Sequence, residues 1–269
     1  MPIKSSPHEN KVFIIPTFSN REGLLRVLKD INDVYPQCRT VVINNDPKAP
    51  LEESFENFLS LKVSFINNKQ NDGFAKAVND GAKKAKEFDP DYLVFLNDDI
   101  RFNTDWVGEC IKKIQRNKWV ASVPILFDLH HAVENYGFLV LPFGKVELIK
   151  SKNSKKTPDG LTAAALVFKS GSFFKLGGFD ERFFAYLEDV DLFLRAKKQG
   201  MRFGITKNAR VTHEGQKTSS QRAVKKAYLD FRNWMLLIGK NWGFKKILLN
   251  LPAIFVERLR NLWGIIKAF

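Results

Sequence analysis

Tyr92-Leu-Val-Phe-Leu-Asn-Asp-Asp99 sets five apolar residues directly before an amide and two carboxylates. The apolar part has the length of one buried strand, and the acids stand where that strand would end. Three earlier runs, Val12–Ile15, Thr40–Ile43 and Val63–Ile66, have the same character. Leu24, Leu28 and Ile31 recur at helical spacing between the first two, and Phe74, Val78, Gly81, Ala82 and Ala85 do so before the fourth. This alternation predicts an α/β fold with a mostly parallel, Rossmann-like central sheet flanked by helices. Ligands bind such sheets beyond the carboxyl ends of the strands. The segments to read are therefore Pro16–Arg21, Asn44–Pro47, Asn67–Gly73 and Asn97–Asp99, four polar loops on one rim.

The chain has 269 residues, 44% of them hydrophobic and 27% charged, which suits one large core and excludes extended disorder. Cys38 and Cys110 are too few for a disulfide framework and lack metal-ligand spacing. The polar start, Met1–Asn10, has no apolar leader core, and no run of eighteen uncharged apolar residues occurs. A cytoplasmic setting is the expectation. The net charge of +14 implies attraction to something anionic, whether nucleic acid, an acidic membrane surface or a phosphorylated substrate, and residues 221–269 hold ten Lys and Arg against two acids. From Phe244 onward those cations are mixed with Leu, Ile, Phe and Trp, and Pro252 is placed to kink the segment. A helical tail of this kind suits an anionic membrane surface, which would make the protein peripheral on the inner face of the cell membrane. Packing on the catalytic domain or on a homodimer partner is the competing use. The expected division is a polar segment 1–10, a domain 11–220 and a basic amphipathic helical segment 221–269.

The second half is less regular. It shows a strand-like Ala163–Phe168, a glycine turn at Gly177-Gly178, a helix from about Glu188 to Gln199 closed by Gly200, and a strand near Val211, so a mixed sheet is expected there. Lys150–Gly160 reads as a mobile surface loop.

Two acidic clusters carry the chemistry. Asp98 and Asp99 at a buried strand end repel each other and call for a cation, and oxygen ligands suit Mg²⁺ or Mn²⁺, which would hold a diphosphate. A plain turn is the bland alternative. Glu188-Asp-Val-Asp191 opens a helix, where acids commonly cap free N–H groups. The preceding Phe179–Tyr186 is richer in aromatics than a solvated cap requires and fits a carboxylate base beside a shaped sugar pocket. Gly73–Asn79 reads as a helix start whose N-terminus favours an anion, with Lys76 as an additional contact.

Taken in order, Pro16–Arg21, Gly73–Asn79, Leu96–Asp99, Gly177–Asp180, Glu188-Asp189 and Val211–His213 resemble the family 2 glycosyltransferases of the inverting GT-A class, nearest to rhamnosyltransferase-like members. The resemblance covers roughly residues 11–215. It implies a sugar moved from a nucleoside diphosphate sugar to an acceptor hydroxyl, saccharide or lipid-linked, in cell-surface polysaccharide or glycolipid synthesis, with rhamnose from a thymidine diphosphate donor foremost. It further implies that Asp99, with Asp98 beside it, binds metal and diphosphate and that Asp189 is the general base. His213 would complete the metal shell, and Thr17, Arg21 and Gly73 would surround the nucleotide. Asn44 stands where the family often has an Asp that contacts the base, and Glu188 and Asp191 are acceptor-side candidates.

Three other functions are weighed against this one. A nucleic-acid-binding protein would interleave cations with exposed aromatics in a stripe, whereas here the cations gather in the tail and the rim holds acids. A sugar-nucleotide-forming enzyme would want a Gly-rich basic loop after the first strand. A non-catalytic membrane-surface binder would need neither acidic cluster.

Overall fold

The four apolar runs form strands β1 (Lys11–Thr17), β2 (Arg39–Asn44), β3 (Lys62–Asn67) and β4 (Tyr92–Leu96) of a computed structural model that describes residues 10–51, 62–135, 137–150, 156–215 and 220–266, with the backbone alone at 220–223 and 264–266. Helix α1 (Arg21–Val34) follows β1, and α2 (Gly73–Ala85) lies between β3 and β4. The four strands pair in parallel in the order β3-β2-β1-β4, with Thr17 opposite Asn44 and Asn44 opposite Asn67, so their carboxyl ends share a rim.

The chain continues through β5 (Ile100–Arg101), α3 (Trp106–Asn117), β6 (Ala121–Phe127), β7 (Val133–Asn135), β8 (Phe138–Val140) and β9 (Val146–Leu148). After these come β10 (Ala165–Lys169), α4 (Ser170–Lys175), α5 (Glu188–Lys198), β11 (Phe203–His213), α6 (Ser220–Asn241) and α7 (Phe244–Ile266). The sheet extends as β4-β10-β6-β11-β5, with β7 also beside β6. The expected mixed half is present: β10 runs antiparallel to β4 and β6, and β5 antiparallel to β11.

Strand periodicity splits the core in two. Val12, Ile14, Val41, Ile43, Leu93 and Phe95 face α2 and α5, while Phe13, Ile15, Val42, Val94 and Leu96 face α1 and α3. Burial on both faces is why these runs are uninterrupted, each large side chain contributing about 1.5–3 kcal/mol. Gly81 lets α2 lie close to the sheet, since a Cβ there would stand 2.5 Å from Ile43 and 2.7 Å from Ile14.

The basic tail is two helices of different character. Helix α6 places Trp234, Leu237 and Ile238 in the α2 and α5 core, together with Trp242 just beyond it, and the Trp242 indole donates to the Pro142 carbonyl at 2.8 Å. Helix α7 continues through Pro252, which cannot donate the bond to the Leu248 carbonyl. Much of the expected mobile loop, 151–155, lies outside the described residues. Its end is pinned instead of mobile: Asp159 N–H donates to the Phe138 carbonyl at 2.8 Å and Gly160 bridges to Phe138. Residues 1–9 of the polar start also lie outside.

Candidate active site

Asp98 and Asp99 follow β4 on the rim and have different surroundings. Asp98 is buried, and its Oδ2 accepts from Thr17 Oγ1 at 2.6 Å, tying the ends of β1 and β4 together. Its carbonyl lies against α1, where a Cβ on Gly23 would stand 2.4 Å away. Asp99 Oδ2 accepts from His213 Nε2 at 3.2 Å, because β11 ends beside β5 with His213 opposite Ile100. Asp99 Oδ1 is buried and has no hydrogen-bond partner among the described residues. The other imidazole nitrogen, Nδ1, lies 2.8 Å from Glu134 of β7. Burial alone would lower the His213 pKa, but the Asp99 and Glu134 carboxylates outweigh it and raise it to about 9.

These atoms fit a divalent ion. Asp99 offers an oxygen without a partner among the described residues, His213 Nε2 would offer a nitrogen once the ion displaces the proton it directs at Asp99, and Glu134 fixes the ring from Nδ1 as carboxylates do behind metal-bound histidines. Among the described residues no three His, Cys, Asp or Glu converge into a full set, so further ligands would come from diphosphate or water.

The loop after β2 is arranged otherwise than expected. Asn44 is buried and its amide donates to the Asp46 and Ala49 carbonyls and to Asn67 Oδ1, so it builds the loop instead of facing a base. The rim carboxylate here is Asp46, kept below its usual pKa chiefly by the Ser19 hydroxyl at 2.6 Å. Arg21 is exposed at the first turn of α1, which Asn20 caps by accepting from Gly23 N–H at 3.2 Å. Lys76 is already engaged by carboxylates at the i,i+4 spacing that brings helical side chains together, with Asp80 along its own helix and, at 3.8 Å, with Asp72 of the rim loop.

Gly73 is required for shape. It has φ +83, and a Cβ would stand 2.5 Å from the Phe184 carbonyl. That carbonyl accepts from Ala75 N–H at 3.1 Å, bringing the aromatic segment against the start of α2. The segment is strained: Phe184, Tyr186 and Leu187 have φ of 60, 71 and 66 without being glycine, each costing about 1–3 kcal/mol.

The strained segment delivers the second acidic cluster. Asp189 accepts from Val190 N–H at 2.8 Å and from Ala163 N–H at 3.3 Å. Burial raises the pKa of both Glu188 and Asp189, and Glu188 is pushed further by the neighbouring Asp189 charge. Glu188 Oε2 is buried without a hydrogen-bond partner among the described residues. Asp191 turns away from the rim. It is fully buried and paired with Arg195 at 2.7 Å, Lys240 at 2.8 Å and Asn241 at 3.0 Å, which makes it a structural anchor and not an acceptor contact.

Asp98, Asp99, Thr17 and His213 therefore converge as one group, and Glu188 and Asp189 form a second. Asn97 N–H donates to the Ala164 carbonyl at 2.9 Å, next to the Ala163 that holds Asp189. The sequence reading missed Glu134, Asp46 and the Ala163 N–H. Glu134 sits in a strand of three residues, too short for a periodicity signal, and Asp46 stands two residues past Asn44 in the loop after β2.

The chain is 28% identical over 264 residues to the O-antigen biosynthesis protein RfbC of Myxococcus xanthus, covering 87% of this chain and only 20% of that relative's length. It is 25% identical over 206 residues to the rhamnosyltransferase WbbL of Escherichia coli K12, covering 70% and 77%. The crystal structure of GalNAc-T7 with UDP, GalNAc and Mn²⁺ superposes with a TM-score of 0.70 at 14% identity, over 90% of this chain and 50% of that one, and supports a GT-A fold. The family model for glycosyl transferase family 2 matches residues 12–169, and the chain belongs to that family.

Proposed function

We propose that the protein is an inverting glycosyltransferase that moves a sugar from a nucleoside diphosphate sugar to an acceptor hydroxyl in cell-surface polysaccharide or glycolipid synthesis. The carrying observation is that the Asp189 carboxylate accepts from Ala163 N–H while Asn97, which leads into Asp98 and Asp99, donates its backbone N–H to the carbonyl of the next residue, Ala164, so that two acidic clusters of different character are referenced to one short stretch of chain. Asp99 and His213 would hold a divalent ion, Mn²⁺ or Mg²⁺, and Asp98, locked by Thr17, keeps the β4 end in place. Such an ion supplies Lewis-acid neutralisation of the departing diphosphate. Asp189 takes the acceptor proton as the new glycosidic bond forms on one face of the sugar. The bond to the diphosphate breaks on the other face, and its electron pair leaves with the diphosphate. A carboxylate whose pKa is raised by burial suits that base role. Asp46 replaces Asn44 as the contact on the base side of the nucleotide, with Arg21 and Gly73 nearby in the rim loops. The relatives' roles in O-antigen synthesis and rhamnosyl transfer favour rhamnose as the donor sugar. Catalysis is assigned to residues 11–220.

The test incubates the protein with UDP-, GDP- and dTDP-linked sugars, Mn²⁺ and octyl glycosides, and reads nucleoside diphosphate release and anomeric configuration by NMR. Inversion supports the reading. Retention, or neither turnover nor a melting shift with any nucleoside diphosphate, removes it.

The tail is assigned to an anionic membrane surface. No described helix is long and apolar enough to cross a membrane. Helix α7 nevertheless exposes Phe244, Leu248, Leu251, Phe255, Leu259 and Trp263 along one broad face, while Ile254 and Arg258 pack toward α6. An apolar face of this extent beside Lys245, Lys246 and Arg260 matches shallow insertion among anionic headgroups.

A further inference from the structure

Asn233 of α6 is fully buried, and its amide nitrogen lies 2.7, 2.7 and 2.8 Å from the carbonyl oxygens of Phe183, Ala185 and Tyr186. The orientation of the amide is chemically fixed. Arg232 Nη1, which can only donate, reaches Asn233 Oδ1 at 2.9 Å, so the NH₂ must face the three carbonyls. The same guanidinium nitrogen donates to the Arg182 carbonyl at 2.8 Å, extending the grip by one residue.

The backbone so held is one that the chain would not adopt unaided. Phe184 has φ 60 and ψ −67, and Ala185 N–H donates to the Phe183 carbonyl at 2.7 Å, which together make the rare, strained form of the γ-turn. Tyr186 and Leu187 then take left-handed φ values, and Leu187 leads directly into Glu188 and Asp189. The strain is concentrated where the carboxylate proposed as the base begins, and three of the carbonyls it turns inward meet one side chain.

We infer that Asn233 is a positioning residue for sugar transfer: its amide holds residues 183–187 in the strained path that aims Asp189 at the acceptor. This rests on the proposed transferase reading and extends the working catalytic unit beyond residue 220 into α6. The Asn233 amide bonds the Phe183, Ala185 and Tyr186 carbonyls that lead toward Asp189, whereas the Phe184 carbonyl between them is held by Ala75 N–H at the start of α2, so the loss should fall chiefly on Asp189 and only weakly on donor binding.

Asn233→Asp keeps the side chain's size while setting a carboxylate against three carbonyl oxygens, and Asn233→Ala removes the amide altogether. Both are compared with the wild type by three measurements: amide hydrogen exchange of residues 183–187, affinity for UDP, GDP and dTDP with Mn²⁺, and kcat and KM for transfer to octyl glycosides. The expected result is faster exchange confined to 183–187 and adjoining residues, diphosphate affinity within about twofold of wild type, and a kcat lowered by about 10²-fold, the effect typical of a misplaced reacting group. Unchanged exchange in that segment overturns the inference whether or not any sugar is transferred. Normal exchange with no wild-type turnover counts against both the inference and the transferase reading, whereas altered exchange with normal turnover overturns the inference alone. A parallel loss of diphosphate affinity and exchange protection across the sheet in both variants would assign Asn233 to general stability and likewise overturn it.

Discussion

The backbone N–H of Ala163 donates to the Asp189 carboxylate at 3.3 Å, across 26 residues of chain. Because β10 enters the sheet antiparallel to β4, with Ala165 opposite Leu96, the start of β10 meets the end of β4. Asp189, the proposed base, is thereby referenced to the strand end that carries Asp98 and Asp99, although the two clusters lie far apart in sequence. Asp189→Asn retains size and removes the basic oxygen. Turnover should fall by about 10² to 10⁴, typical of a lost general base, while diphosphate affinity with Mn²⁺ is kept.

The pH dependence follows from the direction of the Asp189 shift. Burial disfavours the charged form, so the pKa is raised, and the base is active only when deprotonated. The acid limb of kcat/KM should therefore lie above the range of an ordinary carboxylate, with activity lost as pH falls through it. An acid limb at or below the usual Asp range would exclude Asp189 as the group that controls it.

Glu134 contacts His213 Nδ1 and would act through it on the proposed ion site. Glu134→Gln leaves Asp99 and the imidazole in place but removes the carboxylate at Nδ1, and loss of such a partner typically weakens metal affinity by about 10- to 100-fold. Titration with Mn²⁺ in the presence of UDP should show that weakening, and Asp99→Ala should abolish metal-dependent diphosphate binding. Equal Mn²⁺ affinity in wild type and Glu134→Gln would mean that His213 serves the β11 end alone.

The parallel half of the fold was legible because β1, β2 and β4 are buried on both faces and leave apolar runs such as Val12–Ile15 and Tyr92–Leu96, whereas the edge strand β3 is only half-buried. The site was legible where acids directly follow those runs or open a helix. Side-chain direction was not. Asp189 and Asp191 are two residues apart in one helical turn, yet one meets the rim and the other is sealed under α6, a difference set by Lys240 and Asn241 from 49 and 50 residues away. Lys76 is a different case, because Asp80 four residues on in the same helix is a local signal for the pairing. Asn44 was read by its position after a strand, but the tight turn that follows needs its amide for the Asp46 and Ala49 carbonyls.

Asp191 makes α6 part of the domain's stability. Its carboxylate is fully buried among Arg195, Lys240 and Asn241, and Lys240 also pairs with Asp180 at 2.7 Å. Asp191→Ala leaves two cations facing an emptied site and should cost about 3–5 kcal/mol. Lys240→Met should cost less, because Arg195 still neutralises Asp191. Urea unfolding followed by tryptophan fluorescence measures both. A loss below that of Lys240→Met for Asp191→Ala would contradict this ordering.

Experiment can separate two occupants of the outer face of α7, an anionic membrane and a second copy of the chain. Phe255 and Leu259 are one helical turn apart and at least half exposed, so Phe255→Glu with Leu259→Glu should leave the fold and melting temperature nearly unchanged. If the face inserts into an anionic membrane, wild type should float with phosphatidylcholine vesicles that contain phosphatidylglycerol, and the double variant should stay with the unbound fraction. Each cation near such a surface contributes about 1 kcal/mol, so flotation should weaken as salt rises and with vesicles of phosphatidylcholine alone. Should the face instead join two copies of the chain, wild type would elute as a dimer, the variant as a monomer, and neither would float. A variant that floats as well as wild type would show that the apolar face is not the membrane contact, leaving the cations of residues 221–269 to act without it.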